Sequence, residues 1–372
     1  MPKYKARHST AGRGACRAAT IAAMNNAALF PPDAAPATTP SDSPERPSGE
    51  AAVSTTGSPA RHLDGERIRS CLSAACRGWQ IEVVDATGST NLDLLARLRE
   101  DASHAPIVRA AMQQTAGRGQ RGRAWQSLPG DSLTFSLAYV MPCGPAELAG
   151  LSLATGVAVV EGLSDLPLAA PQALGLKWPN DVLLRGGKLA GILIETVPAG
   201  QGRIGVVIGI GVNLRHAADV ATRIDNATAA TSASSTRGAS AMSAASAAPP
   251  NPAIPVTPPA ALESVLADPD MSSVLVALVQ RLSTMLDRFA HHRFAAFRED
   301  WEAMHAYAGA PIRVIEHGRD ILHGVALGVD AQGCLRVATN EGERTIASGE
   351  VSVRLLDTSS AAGTSGARED RR

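Results

Sequence analysis

Two stretches of this chain cannot build a core, and they cut the rest into foldable pieces. Residues 33–60 (DAAPATTPSDSPERPSGEAAVSTTGSPA) are mostly Pro, Ser, Thr and Ala, too poor in apolar surface to offset the entropy of ordering. A second block runs from about His216 to Pro259 and includes TAATSASSTRGASAMSAASAAPPNPAIP. A structureless loop of that length inside one domain is rare, so 216–259 reads as a disordered insertion at a surface turn. The division that follows is an unstructured extension over 1–63, a domain over 64–306 carrying the insertion, a small domain over 308–356, and a disordered tail over 357–372. Residues 1–32 are basic, Ala-rich and free of acid, as organelle transit peptides are. The whole chain is Ala-rich, so that composition carries little weight.

Within 64–215, branched apolar runs at Ile107–Gln113, Leu133–Tyr139, Val182–Leu184, Leu189–Glu195 and Ile204–Asn213 predict strands. Asn91–Arg99 and Ala146–Leu163 have helical spacing. Strands punctuated by helices predict an α+β fold, a mixed β-sheet with helices on one face. Leu275, Leu278, Val279, Leu282, Met285, Leu286 and Phe289 recur every three or four residues, an amphipathic helix. Beyond residue 308 come PIRVI, ILHGVALGV, CLRVA, RTI and VSVRLL, separated by HGRD, DAQG, NEGE and SGE. Short strands joined by Gly, Asp and Asn turns predict a small β-barrel.

The charge balance is 35 basic to 35 acidic residues, which argues against a bulk electrostatic nucleic-acid binder. Cys16, Cys71, Cys76, Cys143 and Cys334 form no CxxC pair, so a reducing compartment with free thiols is expected. No apolar run stands out as the ~20 residues needed to cross a bilayer. The expectation is a cytoplasmic protein that engages neither membrane nor DNA.

Residues 115–125 read TAGRGQRGRAW. They follow the Ile107–Gln113 strand, so the glycines fall in a loop leaving the sheet. Backbone N–H groups at Gly117, Gly119 and Gly122 can line an anion site, and Arg118, Arg121 and Arg123 can fork onto phosphate oxygens. Trp125 offers a face for stacking. The G-x-x-x-x-G-K-[ST] spacing of a Walker A loop is missing, and taken alone the tract is a solvated surface loop or an RNA-binding segment. Residues 177–181 (KWPND) put a lysine and an acid around a Trp-Pro turn, and 186–195 (GGKLAGILIE) start a strand with Lys188 beside two glycines. A lysine so placed can neutralise charge during acyl transfer; singly, Lys188 and Asp181 read as exposed turn residues. DATGSTN (85–91) precedes a helix, where Ser89 or Thr90 also suits an N-cap. VVIGIGVNL (206–214) carries one amide, Asn213, which alone is enough to pin a turn.

In this order and spacing, GSTN, QQTAGRGQRGRAW, KWPNDVLL, GGKLAGILIE and GIGVNL resemble the bacterial biotin protein ligases, strongly over 80–215 and more loosely beyond. The resemblance implies a class II synthetase-like biotin–lipoate ligase fold with a C-terminal SH3-like barrel. It implies that biotin and MgATP form biotinyl-5′-adenylate and pyrophosphate, and that the adenylate acylates one lysine of the biotin carboxyl carrier domain of acetyl-CoA carboxylase. On the family's motif, Ser89, Thr90, Asn91, Gln114, Arg118, Gly119, Gln120, Lys188 and Gly191 meet biotin. The nucleotide falls to Arg118, Arg121, Arg123, Trp125, Lys177, Asn180, Asp181 and Asn213, with Lys188 and Arg118 as the catalytic pair. Magnesium comes on the ATP phosphates, with Asp181 a candidate ligand, and no cofactor is permanently bound. The apolar slot for the biotin chain is expected from Ala190, Gly191 and Ile192. A monomer or weak homodimer is expected. Where the family commonly has Gly-Arg-Gly-Arg, this chain has Gln120 in the last place.

Two other readings compete. A lipoate or octanoate ligase or transferase shares the sheet architecture, but the GRGQRGRAW, KWPND and GGKLAG motifs favour biotin. A biotin-responsive repressor would need a helix–turn–helix, and the Pro/Ser/Ala-rich residues before 64 show no periodic apolar pattern for one.

Overall fold

The computed structural model describes residues 59–237, 257–347 and 351–356. The described residues begin slightly before the expected boundary at 64. Pro59–Arg61 form a 3-10 turn, Leu63 is buried and Arg61 pairs with Asp131 at 3.3 Å. The rest of the expected extension, and the tail over 357–372, lie outside the described residues.

Helix α1 (Gly65–Cys71) starts where the Asp64 carboxylate accepts from the backbone N–H groups of Glu66 and Arg67, an N-cap that satisfies donors the helix cannot. Then come β1 (Gln80–Thr87), α2 (Thr90–Glu100), β2 (Ile107–Gln114), β3 (Ser132–Met141), α3 (Leu151–Ser164), β4 (Leu174–Lys177), β5 (Asp181–Leu184), β6 (Gly187–Pro198) and β7 (Ile204–Asn213). The seven strands form one sheet in the order β1-β2-β3-β7-β6-β5-β4. Only β1 and β2 run parallel; the other neighbours are antiparallel.

The two faces of β7 explain its composition. Val206, Ile208, Ile210 and Val212 enter the main core with α3 and α5 (Met271–His292), while Val207 joins a smaller cluster with Leu94, Leu95 and Leu98 of α2. Alternate residues of a strand face opposite sides, so α2 lies across the sheet from α3 and α5. The expectation of helices on one face therefore holds for α3 and α5 and needs correction for α2. Periodicity gives a helix its apolar stripe, not the side of the sheet it will choose.

The segment Pro145–Ser164 is apolar and long enough by composition to cross a membrane, contrary to the expectation that no run was. It is interrupted by the left-handed Gly150 (φ 78°). Its helical part, α3, is a core helix packed against α5 and strands β4, β5 and β6.

The second low-complexity block is not wholly irregular. Ala217–Arg237 form helix α4, with Val220 buried and Arg223 donating to Ser127 O at 3.0 Å. The disordered reading of 216–259 is thus corrected over 217–237 and again at Thr257–Pro259, which line the site. Residues 238–256 lie outside the described residues. Apolar Val220, Ile224 and Ala227 recur at helical spacing within a polar, small-residue background that hides the pattern.

After α5 and α6 (Arg298–Ala303) the chain forms β8 (Pro311–Glu316), β9 (Arg319–Val329), β10 (Leu335–Thr339), β11 (Gly342–Ile346) and β12 (Val351–Leu355). They make a five-stranded antiparallel sheet ordered β11-β10-β9-β8-β12, the expected C-terminal domain. It docks on the first sheet through the buried indole of Trp178, whose Nε1 donates to Gly333 O at 3.0 Å. Cys71, Cys76, Cys143 and Cys334 are free thiols.

Candidate active site

The site lies on the α2 face of the sheet, where glycines leave the backbone bare. A Cβ on Gly209 would come within 2.2 Å of Asn91 Oδ1, and one on Gly211 within 2.2 Å of Trp125 Cε2. Both residues of the GIG motif are therefore required for close approach. Two cavities meet over this floor.

The first is narrow, about 50 Å³, room for a few waters. At its polar end Gln114 Oε1 accepts from Thr90 N at 2.9 Å, which satisfies the first turn of α2. Ser89 is the N-cap by position but makes no side-chain capping bond, so capping does not account for its hydroxyl. Ser136 Oγ donates to Asn91 Oδ1 at 2.5 Å. A hydroxyl has one proton, so with Ser136 spent on Asn91 the Thr90 Oγ1 proton is the one shared between Ser136 Oγ at 2.7 Å and Gln114 Oε1 at 3.1 Å. Asn91 Nδ2 then donates to Glu195 Oε2 at 3.0 Å, and Arg118 closes the chain with an ion pair to the other Glu195 oxygen. Gly191 and Leu193 line the apolar length of the cavity, which Ile192 and Ile210 also border although their side chains belong to the main core. Ala190 packs into that core and does not border the cavity, a correction to the expected slot, because it alternates with Gly191.

The TAGRGQRGRAW loop is a tight hairpin rather than an open cradle. Gly119 N donates to Arg123 O at 2.7 Å and Trp125 N to Gly117 O at 2.9 Å, so the N–H of Gly119 is already bonded. Gly122 has φ +68°, and a Cβ on Gly117 would lie 2.8 Å from Trp125 O. The three arginines also separate. Arg118 belongs to the first cavity and Arg123 to the second, while the Arg121 side chain lies outside the described structure.

The second cavity measures about 470 Å³. On its wall Lys177 Nζ donates to Asp181 Oδ2 at 2.9 Å, and Lys188 Nζ lies 2.6 Å from Asp181 Oδ1. Burial works against the Asp181 charge, but Lys188 and Lys177 outweigh it and hold the carboxyl well below the usual carboxylate range. Burial pushes Lys177 down to about 8, with Asp181 opposing the fall. Asn180 Nδ2 donates to Ile192 O at 2.8 Å, pinning the KWPND turn to β6. Asn213 Nδ2 donates to Lys188 O at 3.2 Å, while its Oδ1 and Trp125 Nε1 are buried without a hydrogen-bond partner among the described residues.

Lys188, Asn180, Trp125, Gly119 and Gln120 line both cavities, so the junction carries one positive charge from Lys188. Several contributors had no local sequence signal. Glu195 sits mid-strand, Val220 and Ile224 lie in the low-complexity block, and Arg354 comes from β12. Burial lowers the Arg354 pKa, against the pull of Asp181.

Among the described residues no three His, Cys, Asp or Glu side chains gather as a metal cage, and both Asp181 oxygens face ammonium groups. That donor set suits magnesium arriving on a triphosphate, which keeps most of its shell as phosphate and water, better than a resident ion.

Residues 83–213 match the biotin/lipoate A/B protein ligase family, and 307–354 match the biotin protein ligase C-terminal domain. The chain is 33% identical over 290 residues to the biotin–[acetyl-CoA-carboxylase] ligase of Mycobacterium tuberculosis, spanning 76% of this chain and 92% of that one. It is 32% identical over 269 residues to the ligase of the same description from Paracoccus denitrificans, spanning 71% and 97%. The solved biotin protein ligase from Aquifex aeolicus in complex with biotin and ATP superposes with a TM-score of 0.51 at 25% identity, covering 75% of this chain and 98% of that one. With near-complete overlap of these relatives and a glycine-floored double cavity on the expected motifs, the chain belongs to the biotin protein ligase family.

Proposed function

We propose that the protein activates biotin with ATP and transfers it to a lysine of a biotin carboxyl carrier domain, with the two cavities holding the two co-substrates. The observation that carries this is their junction at Lys188. In the first step a biotin carboxylate oxygen attacks the α-phosphorus, and pyrophosphate leaves with the bonding electrons. In the second, the neutral amine of the carrier lysine attacks the acyl carbon, AMP departs and the amine loses its proton. No protein nucleophile is needed; positioning and charge screening supply the rate.

Biotin's ureido ring suits the polar end formed by Ser89, Thr90, Asn91 and Gln114, with its chain over Gly191 toward Lys188. Arg118, Gly119 and Gln120 border that path. Because the first cavity is so narrow, ligand entry requires the 117–125 hairpin to lift. The nucleotide suits the larger cavity. Arg123 and Arg354 supply positive charge for phosphates, with Arg121 on the same hairpin. Val220 and Ile224 offer an apolar wall, and the unpartnered Asn213 Oδ1 is an acceptor for an exocyclic amine. Trp125 covers the junction. Lys188 meets the carboxylate and α-phosphate as their charges approach, while Lys177 and Asp181 hold it in place. Bound magnesium would screen the triphosphate.

The acceptor is proposed to be the carrier domain of acetyl-CoA carboxylase. The enzyme is proposed to be cytoplasmic, a monomer or weak homodimer, acting without DNA or membrane; the balanced formal charge supports only the absence of bulk nucleic-acid binding. Incubation with biotin, MgATP and an unmodified carrier domain should add one biotin mass to one lysine. Lipoate in place of biotin is the second arm. Transfer of lipoate but not biotin would replace this proposal by its superfamily alternative.

A further inference from the structure

The residues that follow the low-complexity block form a strap across the site. Lys188 N donates to Pro258 O at 2.7 Å and Lys188 O accepts from Ala260 N at 2.9 Å, so a parallel bridge joins Lys188 to Pro259. Proline has no N–H and a fixed φ. The pair of prolines therefore offers the Pro258 carbonyl, skips one donor at Pro259, and presents a stiff edge that bridges to β6 at Lys188. Gly187 permits the approach: a Cβ there would lie 2.9 Å from Ala260 Cβ and 3.2 Å from Pro258 O.

One residue earlier, Thr257 is buried and its hydroxyl accepts from Lys177 Nζ at 3.1 Å. A buried ammonium needs an acceptor for each proton it turns away from water, and among the described residues Thr257 and Asp181 accept from Lys177. The result is one continuous polar chain, Thr257–Lys177–Asp181–Lys188, that ends at the junction of the two cavities.

We infer that Thr257 is a positioning residue for biotin activation: its hydroxyl orients Lys177, Lys177 orients Asp181, and Asp181 sets where the Lys188 ammonium stands, while the strap's backbone fixes the Lys188 main chain. The inference rests on the ligase function proposed above. It gives the end of a compositionally bland segment a part in the chemistry, through a hydroxyl bonded to Lys177 on the wall of the second cavity.

The test compares full-length wild type, Thr257→Val and Thr257→Ser by pyrophosphate release with biotin and MgATP, alongside thermal melts. Valine keeps the shape and removes the hydroxyl; serine keeps the hydroxyl and removes the methyl. The expected result is a kcat about tenfold lower for Thr257→Val, a biotin KM within about twofold of wild type, and recovery to within about threefold for Thr257→Ser. A Thr257→Val kcat within about twofold of wild type overturns the inference. So does a loss confined to Thr257→Ser, which would assign the site to methyl packing, or an equal loss in both variants with a matching fall in Tm, which would assign it to the general packing of the strap. A wild-type enzyme that releases no pyrophosphate with biotin overturns the ligase proposal itself, and that outcome is visible before any variant is compared.

Discussion

Gly191 and Gly211 face each other directly across β6 and β7, and the indole of Trp125 lies over the bare sheet they leave. A Cβ would come 3.1 Å from Trp125 Cζ3 at Gly191 and 2.2 Å from Trp125 Cε2 at Gly211. Lys188 Nζ stands 5.7 Å from the same ring's centroid, within cation–π range. The glycine pair thus seats the aromatic cover against the group proposed to do the chemistry.

Gly211→Ala must displace Trp125, since backbone on β7 cannot yield without breaking two ladders. Adenylate formation is expected to fall about tenfold or more, while the melting temperature moves by only a few degrees. Pyrophosphate release and a thermal melt on the same sample check it. Activity within twofold of wild type would mean that the position of Trp125 is immaterial.

The two lysines on Asp181 should separate by phenotype. Lys188 is partly exposed, so Lys188→Ala leaves Asp181 paired with Lys177 and the fold intact, yet slows adenylate formation by about 10²- to 10³-fold. Lys177 is buried, and Lys177→Ala removes a partner from inside the protein, at a cost of about 3 kcal/mol in stability. Denaturant titration and pyrophosphate release together distinguish them. Equal stability losses in the two variants would contradict the assignment.

His305 should make the protein acid-sensitive. Burial lowers its pKa to about 4, against an opposing pull from Glu302, and its ring stacks on Trp301 at 4.6 Å. The unfolded chain titrates near 6.5, so between these values the unfolded state binds more protons and stability falls as pH drops. The contribution is whole above about pH 6.5 and is lost progressively toward 4, at most about 3 kcal/mol from the ~1.4 kcal/mol carried by each pH unit. Melts at pH 7.5 and 5 should show a smaller drop for His305→Phe, which keeps a ring against Trp301, than for wild type. Parallel losses would place the acid sensitivity elsewhere.

The long inner strands were legible because branched residues run without interruption through β2, β3, β6 and β7, and the C-terminal strands because their turns are rich in Gly, Asp and Asn. Strand β1 is hard to read because Gln80–Thr87 is half-exposed and mixed in polarity, and β4 because LGLK has a glycine and no β-branched residue, unlike the equally short VLL run of β5. The motif residues Thr90, Gln114, Trp125, Lys177, Asp181 and Lys188 do converge, as their shared order along the chain suggested. Glu195, Thr257 and Arg354 gave no such signal: each reaches the site through tertiary contacts from segments that look ordinary alone. Ala217–Arg237 shows the opposite error, a real helix masked by small-residue composition.

Gln120 stands at the junction of the two cavities and is half-buried, so it is not a solvent-facing bystander by position. It opens the 3-10 turn Gln120–Gly122, within the hairpin that must lift for ligand to enter. The bacterial ligases that this chain resembles commonly have arginine in that place. Arginine gives a charge-assisted, forked contact to an anion, whereas glutamine offers neutral hydrogen bonds. A hairpin closed over the adenylate by one charge fewer should reopen more readily, by about 1 to 2 kcal/mol, the gap between charged and neutral hydrogen bonds. That corresponds to roughly tenfold in retention. Gln120→Arg is therefore expected to slow release of biotinyl-adenylate about tenfold while leaving its rate of formation nearly unchanged. Pulse-chase of labelled adenylate from the two proteins measures both quantities. Equal off-rates would show that Arg121 or Arg123 already makes the contact and that Gln120 costs the enzyme nothing.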